Sequence, residues 1–280
     1  MLAGLGAGLG ERLGAGRFSE VFVWGPESVV KLFYPGYPPE EIVREMQQAR
    51  IARDAGLPTP DVLGLVALQG RNGIEFERVH GPTVYDLIRA AAQPMAELAR
   101  AFFDLQHQTH RIAIRGLEPL GPGLINGVAN ARGVLWSHRH QAIDVIRTAV
   151  CPIPVHGDFH PLNVIMSSSG MVVIDWATAG TCDAALDLTR TMLLLKYSRP
   201  EQVERKARSE FLAAYSAYCR LAWSGRMEHL LRWQVPAVLL RLVELESPAS
   251  PGWAVERALL MKLLNGDQSI WLGGMPDSAA

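Results

Sequence analysis

The stretch Val155-His156-Gly157-Asp158-Phe159-His160-Pro161-Leu162-Asn163-Val164-Ile165, with its echo Val172-Val173-Ile174-Asp175-Trp176, decides how this chain is read. Asp158 and Asn163 lie five residues apart, across a loop that Pro161 keeps from being helical, because proline restricts its own φ and the residue before it. Val164 and Ile165 predict a short strand, residues 167–170 a Ser-Gly turn, and residues 171–174 a second strand. Paired as a hairpin, these strands bring Asn163 at one strand's start to Asp175 at the other's end. Two carboxylates and an amide then meet at one mouth. Magnesium takes hard oxygen ligands, usually one or two carboxylates plus substrate phosphates, and a spare aspartate beside it can accept a hydroxyl proton. This is the layout of phosphoryl transfer, with Asp158 as base and Asn163 and Asp175 on the metal ion. A lone Asp beside a strand is more often a turn former or cap; the combination within one short stretch is what makes the catalytic reading specific.

Length and composition set the frame. A chain of 280 residues is long enough for a large core or two lobes. Hydrophobic residues at 49% and charged residues at 20% are ordinary for a globular protein. A net charge of −1 supplies no field for nucleic acid or an anionic membrane. No apolar run reaches the length of a membrane span, and the apolar start, residues 1–10, lacks the basic region of a signal peptide. Cys151, Cys182 and Cys219 are odd in number and widely spaced, which fits reduced thiols in a cytoplasmic protein better than disulfides.

Upstream, residues 13–24 read as strand, glycine turn, strand, with Gly14, Gly16 and Ser19 at the turn. Taken alone this is a flexible hairpin; glycine also lets a backbone approach a ligand closely. Residues 29–33 are an apolar strand with Lys31 at its centre. Only four of the 27 basic residues are lysines, so a lysine here points to a site needing a compact ammonium. A helix begins at Glu40, behind Pro39 and with acids in its first turn, and ends at Gly56. Residues 62–68 and 74–79 predict two strands joined by a tight turn at Arg71-Asn72-Gly73.

Together these residues resemble the aminoglycoside phosphotransferase and choline kinase branch of the kinase-like fold. H-G-D-x-x-x-x-N at 156–163 followed by I-D-W at 174–176 matches its catalytic and metal-binding motifs, and the resemblance covers about residues 10–190. It implies an α+β bilobal fold: residues 1–80 a small antiparallel-sheet lobe with one helix, residues 81–280 a larger, mostly helical lobe, the hinge at about 77–83. It implies that Lys31 holds the α- and β-phosphates and that Ser19, by hydroxyl or backbone N–H, faces the terminal ones. Glu45, followed by Gly56-Leu57-Pro58-Thr59-Pro60, matches the partner of that lysine, with Glu41 the runner-up. Adenine would meet the Glu77 carbonyl and Val79 amide, with Phe76 behind it. Asp187 matches an acid that steadies the catalytic loop, although dipole-favoured N-terminal acids explain Asp183 and Asp187 as well. A His156–Asp158–His160 metal site is the sharp alternative to structural histidines there.

The implied activity is transfer of the γ-phosphate of ATP or GTP, with Mg²⁺, to a hydroxyl of a small molecule. The rivals are a nucleotide-binding pseudokinase, disfavoured because every chemical position is filled, and a protein kinase, disfavoured because eleven residues between Asp175 and Asp187 leave no activation segment. Oligomeric state is not legible. The remainder predicts helices at 83–92, 95–111 and 133–148, a loop at 117–127, and helices at 184–196, 200–220, 226–245 and 253–264. From Arg190 on there are twelve basic and nine acidic residues. A site for a polycation gathers carboxylates, so the expected acceptor is neutral or weakly charged. Trp223, Trp233, Trp253 and Trp271 would be either its flat walls or core, and Glu244 and Glu246 are local carboxylates that could line a pocket.

Overall fold

The computed structural model describes residues 8–91, 93–149, 152–198, 205–246 and 251–266. Expectations placed on Cys151, on 199–204 and on Trp271 fall outside these residues, as does the side chain of Trp253.

The first part of the chain is a sheet with one helix. β1 (Arg12–Ala15), β2 (Ser19–Gly25), β3 (Ser28–Phe33), β4 (Val62–Leu68) and β5 (Arg71–Glu77) are antiparallel in the order β1-β2-β3-β5-β4. Between β3 and β4 runs α1 (Pro39–Asp54). Proline at its start needs no intrahelical N–H partner, and Glu40 and Glu41 complement its positive end. Ile42 and Met46 on α1 pack against Phe33 and Ile74, while Ala49 and Ala52 join the larger core below. The β4–β5 turn is Gln69-Gly70, both at positive φ (51° and 74°), rather than Arg71-Asn72-Gly73, and β5 ends at Glu77 rather than 79. The reason is the commitment of Arg71. Within the strand its guanidinium donates to Phe33 O at 2.9 Å, to Leu32 O at 2.8 Å and to Glu20 at 2.9 Å.

The rest is mostly helical: α2 (Val84–Ala90), α3 (Met95–Arg111), α4 (Gly121–Ala129), α5 (Trp136–Arg147), α6 (Ala184–Tyr197), α7 (Arg205–Ala222), α8 (Met227–Arg232), α9 (Gln234–Glu244) and α10 (Pro251–Leu264). Four short strands lie among them, β6 (Ile153–Val155) paired with β9 (Gly180–Cys182) and β7 (Val164–Ser167) paired with β8 (Gly170–Val173). The β6–β9 pair has no counterpart in the sequence reading; three residues per strand are too few to show a period. α4 overlaps the segment 117–127 read as a loop and runs two residues past it. Its Pro122 sits in the first turn, where proline is tolerated. The expected helix 226–245 is two, α8 and α9, because Pro236 cannot donate to the Arg232 carbonyl.

α6 is the central element: every residue but Lys196 is buried, the polar Asp187, Thr189, Arg190 and Thr191 among them, each with a hydrogen-bond partner. Beneath the site, Phe102 on α3 meets Phe159, Phe211 and Tyr215 at ring distances of 4.7, 5.6 and 5.9 Å. Among the described residues no helix is long and apolar enough to cross a membrane.

Candidate active site

The hairpin β7–β8 forms as read, and Ile174 N donates to Asn163 O at 2.9 Å, bringing Asn163 beside Asp175. Residues 161–163 make one 3-10 turn rather than an open loop; the tighter turn accepts a proline at its start. Asn163 is buried, and its Nδ2 donates to the Asp158 carbonyl at 3.1 Å. Its amide oxygen is then the group left to meet a ligand. Asp175 sits at φ +65°, unusual for a non-glycine residue.

His156 lies beneath this loop, fully buried. Its Nε2 is 3.1 Å from Ile174 O and its Nδ1 accepts from Asp158 N at 3.3 Å. Burial holds its pKa below the usual imidazole value, so the ring is neutral with its proton on Nε2. Both nitrogens are thus committed inside the protein, which corrects the His156–Asp158–His160 metal alternative. Among the described residues no group of three His, Cys, Asp or Glu could hold a metal ion.

Asp187 fastens the loop from below. Its carboxylate accepts from His156 N at 3.0 Å and Gly157 N at 2.7 Å, and lies 3.1 Å from His110 Nε2. Burial opposes that charge, but the His110 hydrogen bond leads the contacts that hold its pKa below the carboxylate range. Gly157 is at φ +79°, and a Cβ there would come within 2.4 Å of Thr178 O, so only glycine lets the chain turn at this point. Thr191 Oγ1 donates to Phe159 O at 2.6 Å and receives Gln106 Nε2 at 3.0 Å, and Tyr215 OH donates to Gln106 Oε1 at 2.5 Å. This buried chain was not read from the sequence, because its members are 85 and 109 residues apart. Asp183, by contrast, caps α6 through Ala185 N at 2.9 Å.

Lys31 stands between two carboxylates, 2.6 Å from Glu45 and 3.0 Å from Asp175. Burial disfavours the ammonium, but Asp175 and Glu45 together override it and raise its pKa. Glu41 instead pairs with Arg44 at 2.5 Å. Gly14 is in β1, Gly16 N donates to Ser19 O at 2.8 Å across the turn, and Ser19 is buried at the start of β2. The α1–β4 connection reaches the site: Pro58 O accepts Val173 N at 2.7 Å, and Thr59 Oγ1 accepts Trp176 Nε1 at 2.9 Å. Phe76 packs against both apolar clusters. Glu77 is tied to Asp61 twice, its carboxylate accepting Asp61 N at 3.1 Å and its own N donating to Asp61 O at 2.9 Å. The segment after β5 is pinned by Met166 N donating to Pro82 O at 2.9 Å.

Asp158 faces a cleft, its side chain 31% exposed. Oδ2 lies 3.3 Å from His160 Nε2 and Oδ1 3.3 Å from Arg190 Nη2. Although burial raises it, His160 first and then Arg190 hold its pKa well below the carboxylate range. Arg190 was not read as part of the site, and Glu244 was read only as a carboxylate that could line a pocket, not as the partner of Arg190 at 2.8 Å. Trp223 and Trp233 are buried and belong to the core rather than to a cleft wall.

A family model described as "Phosphotransferase enzyme family" matches residues 11–229. No curated protein matches significantly. Among solved structures, a thermostable mutant of aminoglycoside phosphotransferase APH(4)-Ia, in ternary complex with AMP-PNP and hygromycin B, aligns with TM-score 0.58 and 19% identity over 91% of each chain. The amicoumacin kinase hAmiN, in complex with AMP-PNP, Ca²⁺ and Ami, gives 0.60 and 14% over 91% of this chain and 87% of its own. A choline/ethanolamine kinase family protein from Mesorhizobium loti gives 0.59 and 19% over 98% and 94%. At such identities these likenesses show the fold. The family match spans most of the chain, and with it the protein belongs to the phosphotransferase enzyme family.

Proposed function

We propose that the protein is an ATP-dependent kinase of small molecules in which Asp158 orients and deprotonates the acceptor hydroxyl, Asn163 and Asp175 hold Mg²⁺, and Lys31, kept in place by Glu45, holds the donor phosphates. The observation that carries this is a convergence: Lys31 lies 3.0 Å from Asp175, the neighbouring Ile174 N donates to Asn163 O at 2.9 Å, and Asn163 Nδ2 donates to the Asp158 carbonyl at 3.1 Å. Two oxygen donors suit a hard cation whose other ligands are phosphates and water. Bound there, Mg²⁺ would neutralise phosphate charge. Gly14, Gly16 and Ser19 cover the phosphates, and Phe76, Glu77 and Val79 border the adenine. Residues 1–80 and 81–280 act as the two lobes about the segment 77–83.

The acceptor we infer is a neutral or weakly charged hydroxylated molecule. Three carboxylates of the chain from Arg190 on, Glu244, Glu246 and Glu256, already have partners. Glu244 takes Arg190 at 2.8 Å and Arg241 at 3.0 Å, Glu256 takes Arg241 at 2.7 Å, and Glu246 accepts Arg132 N at 2.7 Å. Magnesium as the working metal and a cytoplasmic setting complete the reading. The free thiols Cys182 and Cys219 are buried, which pushes both pKa values up to about 12, as suits a reducing compartment. A coupled ADP-release screen of neutral polyols, sugars and amino alcohols beside kanamycin-like polycations tests the acceptor class. Neutral compounds should be turned over. Efficient turnover of the polycations, falling steeply with salt, would overturn it.

A further inference from the structure

Arg17 lies exposed at the tip of the β1–β2 loop, and its Nη1 donates to the backbone carbonyl of Glu244 at 2.8 Å, a contact spanning 227 residues of sequence. Glu244 is the last residue of α9. Its carbonyl is one of those a helix leaves without an internal partner, at the end where a cation is favoured. The side chain of the same residue serves another purpose. Oε1 accepts Arg190 Nη2 at 2.8 Å, and Oε2 accepts Arg241 Nη1 at 3.0 Å. Arg241 also closes bonds of 2.7 and 3.1 Å on Glu256, which anchors the group to α10.

Two physical consequences meet here. With the nucleotide beneath the β1–β2 loop, as proposed above, a bond from the loop's tip to α9 would open and close with each exchange. An exposed contact of this kind is weak enough to do so. The Arg190 side chain is only 6% exposed, and a buried guanidinium seeks carboxylates. Its Nη2 is closer to Glu244 (2.8 Å) than to Asp158 (3.3 Å). Glu244 therefore restrains the cation and leaves the Asp158 carboxylate at the cleft, aligned but not captured.

We propose that Glu244 is a junction between the two halves of the site: its carbonyl latches the glycine-rich loop through Arg17, and its carboxylate sets Arg190 as the positioning residue for Asp158. The inference rests on Asp158 being the acceptor-facing group.

The two arms can be cut separately. Arg17→Ala removes the latch and keeps the carboxylate; Glu244→Gln removes the carboxylate and keeps the carbonyl. The probes are Mg²⁺ with a fluorescent ADP analogue, for release, and MgATP with water as acceptor, for turnover. Arg17→Ala should speed release about tenfold and raise KM for MgATP, whereas Glu244→Gln should lower kcat about tenfold or more with release within about twofold of the parent. Arg190→Lys should follow Glu244→Gln. Release from Arg17→Ala at the parent's rate, or parent-like kcat in Glu244→Gln, would overturn the junction while leaving the kinase assignment standing. A parent that neither binds the analogue nor hydrolyses ATP would contradict the site itself, and the junction with it. If Glu244→Gln does not fold, the Arg17→Ala release rate still decides, since that change touches an exposed side chain.

Discussion

The Nζ of Lys31 lies 3.0 Å from Oδ1 of Asp175, joining a strand of the sheet to the end of the β7–β8 hairpin across 144 residues of sequence. The same ammonium is 2.6 Å from Glu45. Removing it leaves two carboxylates facing one another in a largely desolvated cleft. Lys31→Ala is expected to weaken MgATP binding at least tenfold, or about 1.4 kcal/mol, with the fold kept. Titration of the variant with MgATP, alongside its circular dichroism, checks this; parent-like affinity would remove Lys31 from the phosphate site.

Asn163 gives a different signature. If its amide oxygen ligates Mg²⁺, Asn163→Ala should raise the Mg²⁺ concentration for half-maximal ADP release, about 10- to 100-fold if the loss resembles that of other ligand-supporting contacts. Excess Mg²⁺ should then recover much of the rate. A Mg²⁺ requirement identical to the parent's would show that the residue only holds the loop through Asp158 O.

Asp187 is a stability prediction. Its buried carboxylate satisfies two backbone N–H groups and His110, and Asp187→Ala leaves those donors unpaired, so a loss of about 3 kcal/mol is expected in denaturant unfolding. The pH dependence has a definite sign. Asp187 has its folded pKa depressed, so its contribution is fully present above the unfolded value of about 3.9 and is lost as pH falls toward the folded one. His156 is also depressed, by burial, and the unfolded chain takes up that proton first, below about pH 6.5. Stability should therefore begin to fall below about pH 6.5, and fall further below about pH 4. The second decline should be smaller in Asp187→Asn. A parent equally stable at pH 7 and pH 5 would contradict the neutral, buried state of His156.

The parts of this site legible in the sequence are those whose geometry is local. Asp158, Asn163 and Asp175 sit within one hairpin and its approach, so spacing and strand pattern place them together. The Lys31–Glu45 pair is 14 residues apart and became readable through a motif resemblance and the scarcity of lysine. The Arg71 turn misled because Asn-Gly is a strong hairpin signal, whereas the winning bonds to Leu32 and Phe33 come from a strand nearly forty residues earlier. The Arg190–Glu244 bond escaped for the same reason. Arg190 lies on a helix from which only Asp187 was drawn toward the site, Glu244 lies 54 residues away, and no local pattern marks a bond that closes only when α6 and α9 pack.

The central claim is that Asp158 acts on the acceptor hydroxyl. The most direct measurement is single-turnover phosphoryl transfer from MgATP by Asp158→Asn and by the parent, on an acceptor the parent phosphorylates, with nucleotide affinity measured in parallel. The account predicts transfer slowed about 10²–10⁴-fold with nucleotide affinity retained. Transfer at the parent's rate in that variant would contradict it.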